Sequence, residues 1–101
     1  MALTLENIQG YLPKRFILKE TIDFGNNAMV CVGVDFETSK PIVVKSIARE
    51  DEDMFIQEYE VLMEVGKEKG FAEILMSKQC PFGFLIILEY MGINLFELLL
   101  D

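Results

Sequence analysis

Two residues of this 101-residue chain, Lys45 and Glu58, have the types and spacing to do chemistry together. Lys45 stands inside Ile42-Val43-Val44-Lys45-Ser46-Ile47, a strongly apolar stretch in which an unpaired ammonium is costly to bury. Such a lysine calls for a carboxylate, and Glu58 lies 13 residues on, in the middle of the one full helical pattern. The pair can serve as an ion pair that fastens helix to sheet, or as a cation held in place for phosphate oxygens. Phe24-Gly25-Asn26-Asn27 has the Gly and Asn content of a tight hairpin turn. A flexible hairpin overhanging a paired lysine would cradle phosphate, although Gly25 taken alone is an ordinary hairpin glycine. Other chemistry is excluded by composition. With no His, the chain lacks the commonest general base and the commonest metal ligand. Cys31 and Cys80 have no short metal-ligand spacing, so no metal site is expected. Seventeen acids against nine bases, a net charge of −8, argue against a nucleic-acid or anionic-membrane partner.

The elements that must position these residues follow from periodicity. Phe16 to Ile22 reads as a strand running into the Phe24–Asn27 turn, and Ala28 to Phe36 as its return. Glu37-Thr38-Ser39-Lys40-Pro41 is a polar turn. Ile42 to Ile47 is a third strand, and its run of β-branched residues implies burial on both faces. The period then changes. Asp51-Glu52-Asp53 puts acids where a helix N-terminus favours them. Phe55, Tyr59, Leu62 and Val65 recur at helical steps and form a core-facing stripe. Gly66 and Gly70, bracketing Lys67-Glu68-Lys69, mark a helix stop. Ile74 to Lys78 and Phe84 to Tyr90 are two further strands around a turn at Cys80-Pro81-Phe82-Gly83, and Leu95 to Leu100 begins a second helix. The expected fold is α+β, a five-stranded antiparallel sheet with one packed helix and the start of a second. Met29, Met54, Met63, Met76 and Met91 are gap-fillers that need no cofactor.

The start of the chain, Met1-Ala2-Leu3-Thr4-Leu5-Glu6, has no basic segment followed by a long apolar one. The longest uninterrupted apolar run, Phe84 to Leu88, is far short of the roughly 20 residues that span a bilayer. A cytoplasmic or other reducing intracellular compartment is therefore the expectation. The two cysteines could form a disulfide in principle, but small core hydrophobes are their simplest role.

Taken in order, these motifs resemble the N-terminal lobe of a eukaryotic protein kinase. Residues 1–14 would be an N-terminal extension, and residues 15–101 the lobe, ending within the first helix after the hinge. Ile42-Val43-Val44-Lys45 is similar to the family's V-A-I-K strand, whose Lys holds the α- and β-phosphates of ATP. Glu58-Tyr59-Glu60-Val61-Leu62 resembles the pattern of helix C, whose Glu pairs with that Lys. Ile86 to Met91 resembles the fifth strand and hinge. The resemblance makes Leu88 the gatekeeper and sets the Glu89 carbonyl and Met91 amide against adenine. Read from the residues alone, Glu89 and Met91 are equally a plain strand end. Ile22, Gly25, Val30 and Val43 complete the ATP contacts that the resemblance implies. Gly70-Phe71-Ala72-Glu73-Ile74 and Met91-Gly92-Ile93-Asn94-Leu95 are similar to the casein kinase 1 group and its vaccinia-related-kinase relatives.

The departures narrow what the resemblance implies. The glycine-rich loop G-x-G-x-x-G-x-V aligns with Asp23-Phe24-Gly25-Asn26-Asn27-Ala28-Met29-Val30, in which only the middle glycine and Val30 survive. Asp23 sets a negative charge beside an anionic ligand, and Val43 replaces the small alanine that roofs adenine. The catalytic-loop H-R-D-x-x-x-x-N and the metal-binding D-F-G do not occur in these residues. Lys45 and Glu58 position phosphate but cannot transfer it, so no catalytic residue is assigned and this chain alone is not expected to be an enzyme. Mg would bind only with a second lobe. The implied function is the nucleotide-binding lobe of a casein-kinase-1-like Ser/Thr kinase, as a fragment or truncated form. The alternative is a pseudokinase or half-kinase acting as a protein-binding scaffold. In either case the apolar segment Leu85–Leu100 would face a partner, the missing C-terminal lobe or another protein. An accidental likeness in a small α+β domain is the third possibility.

Overall fold

The computed structural model describes residues 3–25, 27–69 and 72–90, without the side chains of residues 65–69, 72, 73 and 90. Its core is a five-stranded antiparallel sheet in the order β1-β2-β3-β5-β4. The strands are β1 (Phe16–Phe24), β2 (Ala28–Asp35), β3 (Lys40–Ala48), β4 (Ala72–Cys80) and β5 (Gly83–Tyr90). Helix α1 (Leu5–Tyr11) precedes the sheet, and α2 (Glu52–Lys69) joins β3 to β4 after a short 3-10 turn, Arg49–Asp51. The expected α+β fold is therefore the observed one, with five antiparallel strands and a helix packed on them.

The connection through α2 follows from strand direction. β3 and β4 are each antiparallel to β5, so they run the same way and no hairpin can join them. The chain instead crosses one face of the sheet as a helix to the far edge, and β5 returns to fill the gap between. β3 and β5 are central, which explains the unbroken apolar runs of both: Ile42 to Ala48 and Phe84 to Leu88 are buried throughout.

Alternation along the strands divides the core in two. Met29 and Cys31 of β2, Ile42 and Val44 of β3, and Leu85 and Ile87 of β5 form one face, covered by Ile8 of α1 and by Leu12. Val30, Val43, Ile86 and Leu88 form the other face, covered by Leu62 of α2 with Phe55 and Tyr59 packed against them. The helical stripe expected at Phe55, Tyr59 and Leu62 thus faces the core. The Val65 side chain lies outside the described residues.

Two glycines are required sterically. Gly33 of β2 pairs with Leu18 where the register of β1 shifts, and a Cβ there would lie 2.1 Å from the Ile17 carbonyl oxygen. Gly83 has φ +151° and would set a Cβ 2.1 Å from the Ile47 carbonyl oxygen.

Helix α2 ends at Lys69, within the expected Gly66–Gly70 stop. Two features differ from the sequence expectation. Helix α1 falls inside the residue 1–14 extension, for which no element is expected, and it contributes fully buried Ile8 to the core. Strands β1 and β4 extend past their expected ends, to Phe24 and across Ala72–Cys80. The expected helix at Leu95–Leu100 lies outside the described residues.

Candidate functional site

The site is built from the α2 face of the sheet upward. On β3, side chains two apart share a face, so Val43 and Lys45 point the same way as α2 packs, while Ile42 and Val44 point to α1. Val30 is the register partner of Lys45 on β2, and Ile86 its partner on β5. The lysine stem therefore lies between apolar neighbours, and its side chain is 7% exposed. Glu58 enters from α2, and Lys45 Nζ donates to its Oε1 at 2.6 Å. The ion pair expected from the 13-residue spacing is formed.

Helix packing sets that geometry. Phe55, three residues before Glu58, stacks on Phe84 of β5 at 4.5 Å between centroids, and its ring also meets Tyr59. Leu62, one turn after Glu58, is buried among Val30, Val43, Ile86 and Leu88. These contacts on either side leave the Glu58 stem aimed at β3. Its Oε2 is buried and accepts no hydrogen bond from the described residues. A second acceptor position therefore stands open beside the ammonium, in a setting where an unmade hydrogen bond is costly.

The other expected site residues fall as follows. Val30, Val43 and Leu88 share the Lys45 face, and each is 1% exposed or less. Glu89 follows Leu88 on β5 and so falls on the other face of the sheet, the α1 side, opposite Ile42, and its Oε1 is 3.0 Å from Lys40 Nζ. Ile22 is on the edge strand β1, at the second register shift between Thr21 and Asp23, and is 37% exposed. Gly25 closes the hairpin with its N–H donating to the Ala28 carbonyl at 2.8 Å. It has no positive φ, and a Cβ there would meet only the Ala28 oxygen, at 3.7 Å. The hairpin thus falls where expected, but its glycine is not sterically obligatory. Met91 lies outside the described residues. Of the expected partner segment, Leu85 to Leu88 are buried in β5, and the stretch from Met91 lies outside the described residues.

A second charged group, which spacing arguments do not reveal, is Arg15 with Asp35. Arg15 Nε and Nη2 donate to Asp35 Oδ1 and Oδ2 at 3.1 and 2.6 Å, and Nη1 lies 3.0 Å from Glu37 Oε2. Asp35 is 1% exposed and also accepts the Glu37 N–H. The guanidinium hydrogen bonds hold the Asp35 carboxyl below the ordinary Asp value against the opposing effect of burial. The signal was an acid at a strand end preceding a polar turn; its partner appears only once β1 and β2 are in register. Both cysteines are free and buried, and burial raises each thiol above its ordinary value. They are core residues held as unreactive thiols.

Among the described residues no group of His, Cys, Asp or Glu could hold a metal ion, and no helix is long and apolar enough to cross a membrane. Comparison of the chain with protein-family models, characterised proteins and solved structures finds no match.

Proposed function

We propose that this chain is a kinase-type N-terminal lobe of the casein kinase 1 kind, whose Lys45 holds the phosphates of ATP and which does not transfer phosphate by itself. The observation that carries this reading is the Lys45–Glu58 pair at 2.6 Å, on the sheet face that α2 covers. A lysine 7% exposed and oriented by a helix carboxylate is a pre-positioned cation for a phosphate oxygen. The strand order, with the helix inserted between β3 and β4, supports the same reading. The transfer step needs an acidic residue to orient the acceptor hydroxyl and carboxylates for Mg; a second lobe would supply both.

One observation favours the scaffold reading. Val30, Val43 and Leu88 are packed to 1% exposure or less, so the face that would meet adenine is filled by the chain's own side chains. On that reading Lys45 and Glu58 only fasten α2 to the sheet, and a partner would dock on residues beyond β5.

Isothermal titration of the full chain with ATP, with and without Mg, separates the two. Nucleotide binding predicts a micromolar to submillimolar complex that Lys45→Met weakens by about tenfold or more. Glu58→Gln keeps the lysine charge and should bind within a few-fold of wild type. Val43→Ala, by removing two methyls from the adenine roof, should tighten binding. No heat in the wild type and in Val43→Ala, with circular dichroism reporting folded protein, would leave the scaffold reading standing.

A further inference from the structure

We infer that Asp23 sets which nucleotide the Lys45 face accepts: its carboxylate opposes a third phosphate, so that without Mg the site selects a nucleoside diphosphate over a triphosphate. This rests on the nucleotide reading of Lys45 and names the substrate class of that same site. Residues directly opposite each other in neighbouring antiparallel strands stand on one face of a sheet. Asp23 of β1 pairs with Val30 of β2, and Val30 with Lys45 of β3. Val30 belongs to the core beneath α2, so Asp23 and Lys45 share the α2 face, in one row across three strands. A register shift produces this placement. Thr21 faces the α1 side, where its hydroxyl lies 3.8 Å from Cys31 Sγ. Strict alternation from Thr21 would turn Asp23 to that side as well. The extra residue at the shift, Ile22, turns Asp23 back to the Lys45 side.

A second row lies beside the first on the same face: Glu20, Val32, Val43 and Leu88. The nucleotide reading gives the Val43 row to adenine and the Lys45 row to phosphate. Charge along the phosphate row decides the preference. Glu58 Oε1 already stands 2.6 Å from Lys45 Nζ and balances much of its charge before a ligand arrives. Asp23 is exposed, next to the hairpin turn that would overhang the phosphates. Two strand spacings, about 10 Å, separate its backbone from that of Lys45. That is about one Debye length at 0.1 M salt, so a phosphate chain held at Lys45 feels the Asp23 charge. Each phosphate beyond those that Lys45 holds brings negative charge toward a carboxylate. Mg on the phosphates offsets the repulsion, so the preference belongs to the metal-free nucleotide.

Isothermal titration of the full chain with ADP and with ATP, both in EDTA at low ionic strength, tests the assignment. In the wild type ADP should bind more tightly than ATP by about threefold or more. Asp23→Asn keeps the side-chain shape without the charge. It should strengthen ATP binding by about threefold or more, strengthen ADP binding by less, and remove the preference. Glu20→Gln, in the adenine row, should leave the ratio of the two affinities as it is, and Mg should narrow the wild-type difference. Tighter binding of ATP than ADP by the wild type, or an Asp23→Asn variant that keeps the wild-type ratio, would overturn the inference and leave nucleotide binding intact. Binding of neither nucleotide, by the wild type or by folded Asp23→Asn, would overturn the reading of Lys45 itself and the inference with it.

Discussion

Removing the Glu58 carboxylate leaves the Lys45 ammonium in a nearly closed apolar setting, and the size of the effect follows from the geometry. The Lys45 side chain is 7% exposed and that of Glu58 27%, with 2.6 Å between Nζ and Oε1. An exposed ion pair contributes at most about 1 kcal/mol, whereas taking one partner from a buried pair costs about 3–5 kcal/mol. Glu58 is a quarter open to water, but the charge left behind by Glu58→Ala is almost enclosed. The cost should therefore approach the buried limit, about 2–3 kcal/mol. For a chain of this size each kcal/mol lowers the thermal midpoint by roughly 4–8 °C, so a fall of about 8–24 °C is expected. Lys45→Met should cost a similar amount by stranding the carboxylate. Replacing both, as Lys45→Met with Glu58→Leu, removes the buried ammonium together with the carboxylate and should return stability to within about 1 kcal/mol of wild type. Urea unfolding of wild type, Lys45→Met, Glu58→Leu and the double variant gives the coupling energy directly, expected at about 3 kcal/mol or more. Single variants within about 0.5 kcal/mol of wild type, with no coupling, would refute the reasoning. The ion pair would then have no share in holding α2 to the sheet.

Three further perturbations test the frame around the site. Ser39, at φ 62° in the β2–β3 turn, is the one non-glycine residue with positive φ among those described. Ser39→Gly should raise stability by about 0.5 kcal/mol, read as a higher urea midpoint, because the left-handed strain is relieved in part at the expense of chain entropy. Gly33→Ala forces a Cβ against the Ile17 oxygen and Leu18 Cα, both backbone atoms, and should cost about 3 kcal/mol or more, or prevent folding, seen by circular dichroism. The Asp35 carboxyl titrates lower in the folded chain than unfolded, first because of its hydrogen bonds from Arg15. Its stabilisation is full above the unfolded Asp value, about 3.9, and is lost as pH falls through the lower folded value. Asp35→Asn should therefore flatten the acid limb of urea midpoint against pH, and an unchanged limb would contradict the assignment.

Sheet and site were legible to different degrees, for physical reasons. β3 and β5 declared themselves because central strands are apolar on both faces, and α2 because Phe55, Tyr59 and Leu62 repeat at its period. The Lys45–Glu58 pair was legible because a lysine in such a strand leaves few carboxylates able to reach it. Helix α1 was harder. It has seven residues including Gly10 and stands ahead of any long pattern. Its signals are local: the Thr4 hydroxyl accepts the Asn7 N–H, Glu6 sits in the first turn, and Leu5, Ile8 and Leu12 are spaced for one face. Its reach across the sheet is not written in periodicity at all. The Gln9 carboxamide donates to the Phe16 carbonyl and accepts the Leu18 N–H, pairing the free edge of β1, while Lys78 on the other edge strand donates to the Tyr11 carbonyl. Such contacts depend on register and on which sheet edge lies near, and neither is set by a local run of residues. The same holds for Arg15 and Asp35, 20 positions apart and joined only because Phe16 pairs with Asp35.

The central claim is that the α2 face of the sheet, and not the α1 face, receives a nucleotide at Lys45. Methyl-resolved NMR of the full chain titrated with ATP tests it most directly, since the two faces carry separate methyl groups. The account predicts shifts at Val30, Val43 and Leu88 that are lost in Lys45→Met, with Ile8, Val44 and Ile87 unmoved. No shift at saturating ATP, or equal shifts on both faces, would contradict it.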